Sequence, residues 1–157
     1  MTTTPPIILR PGGATREMIE KVIGLVDVTT GEMAEEAPSS PRSPGMKYAH
    51  YAPEAPLFII EANVEKIEMA VAKLQAEHKK VAVVGPDNFK VPSADWYFAI
   101  GLSGNNEEMS ANLYKALRAC DFTDADVILA TETNLSGVGV AFMNRLLKAS
   151  DGKRFTR

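Results

Sequence analysis

Apolar positions along this chain follow two regimes. From Leu57 onward, short unbroken apolar runs alternate with stretches in which apolar residues recur every three or four positions. Leu57-Phe58-Ile59-Ile60, Val81-Ala82-Val83-Val84, Asp95 to Ile100 and Val127-Ile128-Leu129-Ala130 read as four strands. Between them, Val64, Ile67, Val71 and Leu74 mark a helix running to about His78, and Met109, Leu113, Ala116, Leu117 and Cys120 mark another. Val138 to Ala149 predicts the last helix, with Phe142, Leu146 and Leu147 as its apolar contacts and Gly152 as a stop just beyond its end. This alternation predicts an α/β fold: a Rossmann-like three-layer domain over residues 57–157 whose mostly parallel sheet is covered on both faces. Such sheets place ligands at the carboxyl ends of their strands, here the loops Gly85 to Asn88, Gly101 to Asn105 and Thr131 to Gly137.

Before Leu57 the regularity fails. Ile7-Ile8-Leu9 reads as a short strand ending at the turn Arg10-Pro11-Gly12-Gly13, but with no partner strand in sight. A helix follows, with Thr15 in N-cap register with Met18 and with Met18, Ile19, Val22 and Ile23 on one face. From about Thr29 to Pro56, the prolines at 38, 41, 44, 53 and 56 predict an irregular, extended linker. The expected organisation is therefore a fragment at 1–28, a linker at 29–56 and the α/β domain at 57–157. An unpaired strand at Ile7 to Leu9 would seek a second copy of the chain, and a homo-oligomer is expected on that ground.

Composition narrows the chemistry. The 157 residues carry a net charge of −3 with no long basic run, so direct nucleic-acid binding is not expected. No apolar run approaches the roughly 18 residues of a membrane span, and a cytoplasmic location is expected by default. The single cysteine, Cys120, leaves no intrachain disulfide and reads as a core residue. The two histidines, His50 and His78, lie far apart, and no metal spacing, phosphate loop or nucleophile elbow is present. No catalytic residue is assigned, and the chain alone is expected to be inactive as an enzyme with no tightly bound cofactor.

Three features remain as binding candidates. Ser136-Gly137-Val138-Gly139 has the look of a phosphate cradle at a helix start, but Gly137 and Gly139 serve a tight turn and close helix packing equally well. Asn144 and Arg145 stand where neither period nor composition demands them; Arg145 suits phosphate, or it pairs with Glu132 or Asp126 to fix the loop. Ser43-Pro44-Gly45-Met46-Lys47-Tyr48-Ala49-His50-Tyr51-Ala52-Pro53 places a cation, two phenols and an imidazole in a proline-bounded strip. Such a strip suits lying across a pocket, or it is a spacer docked on its own domain.

This last stretch closely resembles the linker of two-domain threonylcarbamoyl-AMP synthases, where Pro-Gly-Met-Lys-Tyr-Arg-His-Tyr-Ala-Pro is the typical form. Ile8-Leu9-Arg10-Pro11-Gly12 resembles the end of that family's YrdC-like catalytic domain, and Gly139 to Ala149 resembles its last helix. The resemblance implies a non-catalytic accessory domain whose parent enzymes make threonylcarbamoyl-AMP from threonine, bicarbonate and ATP for tRNA modification. It implies a YrdC-like catalytic partner, in cis or in trans, and contact with ATP or threonylcarbamoyl-AMP only together with that partner. Arg10 would meet nucleotide phosphates, and Ser43, Lys47, Tyr48, His50 and Tyr51 would fold over the active site as a lid. Ala49 stands where the family usually has arginine, which removes a planar charged contact. The alternative is a free-standing module that binds a nucleotide or small molecule through the strand-end loops.

Overall fold

The computed structural model describes residues 4–28, 52–89 and 91–156. Its main body is a three-layer α/β sandwich. Strands β3 (Leu57–Ile60), β4 (Val81–Gly85), β5 (Trp96–Ala99) and β6 (Val127–Thr131) form a sheet in the order β3-β6-β4-β5, with every pairing parallel. Helix α2 (Val64–Ala76) lies on one face, and α3 (Asn106–Cys120) and α4 (Gly139–Ala149) lie on the other. The layered α/β class and the mostly parallel sheet expected from the sequence are what the molecule has.

Strand alternation explains the two cores. Leu57, Ile59, Ala82, Val84, Ile128 and Ala130 pack with Met109, Leu113, Leu117, Phe142 and Leu146 from α3 and α4. Their strand neighbours Ile60, Val81, Val83, Val127 and Leu129 pack with Ile67, Ala70, Val71 and Leu74 of α2. Residues one apart on a strand point to opposite faces, so strands covered on both sides must be apolar at every position. Trp96 and Tyr97 divide the same way, one against each core.

Local chemistry sets the helix ends. Asn63 and Asn105 accept from the backbone N–H groups of Lys66 and Glu108, satisfying donors that the first turn leaves free. Glu107 and Glu108 then sit where the helix dipole favours negative charge. After α4 the chain turns through Asp151 and Gly152, both at positive φ, and the Gly152 N–H returns to the Leu147 carbonyl. The chain beyond it runs back beside β3, with Phe155 N–H donating to the Ile59 carbonyl at 2.8 Å.

One expectation needs correction. The strand at the start is not unpaired: β1 (Ile7–Ile8) pairs in parallel with β2 (Asp27–Val28), the two joined by α1 (Arg16–Ile23). A two-residue strand that carries a charge has too little pattern to be read from sequence. Thr15 caps α1 by accepting from the Met18 N–H, as its register predicts. The apolar side of α1 is uncovered, however: Met18, Val22 and Ile23 are exposed, as is Leu25 beyond the helix. Of the linker expected at 29–56, residues 29–51 lie outside the described residues.

Candidate functional site

Helices α3 and α4 run side by side, and their shared edge faces the turn at Gly13. Between them opens a cleft of about 260 Å³ lined by Gly13, Glu107, Ser110, Ala111, Val138 and Arg145. Arg145 is its fixed point. One guanidinium nitrogen donates to the Ser110 hydroxyl at 2.6 Å and to the Ser110 carbonyl at 3.2 Å, and the group lies 5.7 Å from the Tyr114 ring centre. Ser110 and Tyr114 are four apart on α3, so they present to α4 from one face. Ser110 is itself buried.

This placement corrects the pairing considered from sequence. Arg145 pairs with neither Glu132 nor Asp126: Glu132 is held by Arg154 at 2.7 Å, and Asp126 accepts from the Lys80 backbone N–H at 2.8 Å. The described ion pairs join Arg16 to Glu20, Lys66 to Glu61, Lys80 to Asp124 and Arg154 to Glu132, and none includes Arg145.

Backbone conformation favours glycine at 137, and close packing requires it at 139. Gly137 has φ +52°, a conformation that side chains rarely adopt. Gly139 opens α4, and a Cβ there would lie 2.1 Å from the Asn134 carbonyl oxygen and 2.7 Å from the Asn106 amide nitrogen. The loop thus folds onto its own helix start. Asn106 donates to the Asn134 side chain at 2.9 Å and accepts from the Thr133 hydroxyl at 2.7 Å, and the Ser136 N–H also donates to Asn134. Gly139 N–H is taken by the Ser136 carbonyl at 2.8 Å. Asn144 is half-buried on α4.

A second cleft, of about 350 Å³, lies over the carboxyl ends of β3, β4 and β6, where open parallel sheets hold ligands. Glu61, Pro86, Ser103, Glu132, Thr133 and Asn134 line it. Close by, Tyr97 donates its hydroxyl to the Pro86 carbonyl at 2.6 Å, and burial pushes that phenol above its ordinary range. The neighbouring Thr131 hydroxyl is buried and has no hydrogen-bond partner among the described residues. Among the described residues, no three His, Cys, Asp or Glu side chains group as a metal site, and no helix is long and apolar enough to cross a membrane.

Arg10 is exposed in the turn after β1. Ser43, Lys47, Tyr48, His50 and Tyr51, with Ala49 among them, lie outside the described residues. Sequence reasoning missed Ser110 and Tyr114 as partners of Arg145; their helical spacing is visible, but nothing in it points at α4.

The sequence profile described as "Threonylcarbamoyl-AMP synthase, C-terminal domain" matches residues 14–151. The chain belongs to this family. It is 43% identical to the threonylcarbamoyl-AMP synthase of Pyrococcus abyssi over 96% of the chain and 44% of that protein. It is 42% identical to that of Bacillus subtilis over 94% of the chain and 42% of that protein. The chain therefore spans under half the length of these relatives. Its structure resembles P. abyssi Sua5 complexed with L-threonine, with a TM-score of 0.84 and 41% identity, over 99% of this chain and 45% of that one. The C-terminal Sua5 domain from Pyrococcus horikoshii matches 66% of this chain at a TM-score of 0.51, with 36% identity and 96% of its own chain covered. In this C-terminal domain of threonylcarbamoyl-AMP synthase, the stretch singled out by resemblance, Gly139 to Ala149, is helix α4 itself.

Proposed function

We propose that the chain is a non-catalytic accessory part of threonylcarbamoyl-AMP synthesis, acting with a YrdC-like catalytic domain in the same polypeptide or supplied separately. The reaction joins threonine, bicarbonate and ATP into threonylcarbamoyl-AMP, releasing pyrophosphate and water, and the carbamoyl product serves tRNA modification in the cytoplasm. The observation carrying this reading is the match along nearly the whole chain to enzymes of which it spans under half. The uncovered apolar residues Met18, Val22, Ile23 and Leu25 support it, because an apolar face of this kind is stable when another protein surface covers it.

Within this reading the strip from Ser43 to Tyr51 is a lid over the catalytic site. Lys47 supplies charge to the product's phosphate, Tyr48 and Tyr51 cover its base or ribose, and His50 donates to either. Arg10 meets the nucleotide phosphates. Ala49 removes a guanidinium from the strip and weakens its grip. The test is product release from the chain assembled with a catalytic domain: Lys47→Ala should speed release and Ala49→Arg should slow it. Release rates unchanged in both variants would remove the lid and leave an accessory domain of another kind.

The cleft at the strand ends favours one alternative, a free-standing module for a nucleotide or other small molecule. Calorimetry of the chain alone with ATP and AMP separates the two, because tight binding without a partner is expected of that module alone.

A further inference from the structure

The cleft between α3, α4 and the Gly13 turn holds charges of both signs. Arg145 enters from α4, with one nitrogen committed to Ser110 and its face toward Tyr114. A guanidinium carries five donors in a planar fork, so one edge remains for a planar acceptor. No carboxylate of the described residues takes that edge. Glu107 lines the same cleft, one helical turn before Ser110, and is not in an ion pair with Arg145. The two opposite charges thus share one space without meeting.

We propose that this cleft binds a small zwitterion, an α-amino acid or a molecule of the same charge pattern, with its carboxylate on Arg145 and its ammonium on Glu107. A carboxylate matches the guanidinium fork with two parallel hydrogen bonds. The Ser110 and Tyr114 contacts hold the fork in place beforehand, which lowers the cost of ordering it. Glu107 makes the cleft unsuitable for phosphate, because a second negative charge faces any dianion placed on Arg145. Size agrees: about 260 Å³ lies below the range of roughly 300–1,000 Å³ common for drug-sized ligands. Small residues, Gly13 and Ala111, complete the lining, and a Cβ at Gly13 would meet nothing within 4 Å. The inference does not depend on the proposed role in synthesis.

Titration of the full 157-residue chain, followed by backbone amide NMR shifts, tests this with three probes: L-alanine, propionate and inorganic phosphate. Propionate is alanine without its ammonium, so the comparison isolates Glu107. The expected result is saturable shifts at Ser110, Ala111 and Val138 with alanine, and weaker binding of both other probes. Glu107→Gln, a change at an exposed position, should weaken alanine about fivefold, the worth of one exposed charge contact, while propionate, relieved of the repelling carboxylate, should bind no more weakly than before. Arg145→Gln should weaken alanine at least about tenfold, the loss of a charge-assisted hydrogen bond. Equal binding of propionate and alanine, or tighter binding of phosphate, would overturn the zwitterion assignment. So would the absence of a saturable shift with alanine, or an unchanged alanine affinity in Glu107→Gln.

Discussion

Replacing Gly139 by alanine sets two effects of opposite sign against each other. Helix propensity favours alanine over glycine by about 1 kcal/mol within a helix. The packing opposes it, since the new methyl would lie 2.1 Å from the Asn134 carbonyl oxygen. Contact distance for such atoms is about 3.5 Å, so relief requires a shift of roughly 1 Å or more. The obstacle is backbone, and Asn134 is tied by hydrogen bonds to Asn106 and Ser136. Overpacking of this kind costs about 1–3 kcal/mol, and a tethered backbone belongs at the upper end. The net expectation is a loss of about 2 kcal/mol, or a drop in Tm of about 4–8 °C for a chain of this size. Thermal unfolding followed by circular dichroism measures it. Gly13→Ala is the control, because nothing lies within 4 Å of its added methyl. A Gly139→Ala variant that melts at or above the parent temperature would refute the close-packing account and reopen that helix start as a ligand cradle.

Three further outcomes follow from the same structure. Phe142 is fully buried between the sheet and α3, so Phe142→Ala should cost about 3–5 kcal/mol, read as a lower urea midpoint. Burial pushes the Cys120 thiol up to about 12, so the native chain should resist thiol reagents at pH 8 and react after unfolding. The folded state holds that proton more tightly than the unfolded one, so this contribution is complete below about pH 9 and is lost as pH rises toward 12. Asp95 accepts from the Val81 N–H at 2.8 Å and from Gln75 at 3.2 Å, and these bonds hold its carboxyl below the usual range, Val81 contributing most. Its contribution is present above the unfolded value of about 3.9 and is lost as pH falls through the lower folded one. Asp95→Asn should therefore flatten the acid limb of stability against pH, measured by denaturation between pH 2 and 6.

The sequence made the layers readable because strands such as Val81 to Val84 and Val127 to Ala130 are apolar at every position, which requires cover on both faces. That same uniformity hid the strand order: a strand apolar on both sides carries no preference for one neighbour over another. The cap at Thr15 was legible because it acts within three residues. The partner of Arg145 was not, since Ser110 is 35 residues away and neutral, whereas charge alone points to Glu132 or Asp126. The glycines were recognised as a turn or a cradle, and the position of the Asn134 carbonyl was needed to see what fills the space at Gly139. The pairing of Ile7–Ile8 with Asp27–Val28 was hidden by its two-residue length.

The most direct measurement is pyrophosphate release from ATP in the presence of threonine and bicarbonate, by the chain alone and then mixed with a separately produced YrdC-like catalytic domain. The expected result is no release from the chain alone and a changed rate, or slower escape of threonylcarbamoyl-AMP, on mixing. Release by the chain alone, or a mixture indistinguishable from the catalytic domain by itself, would contradict it.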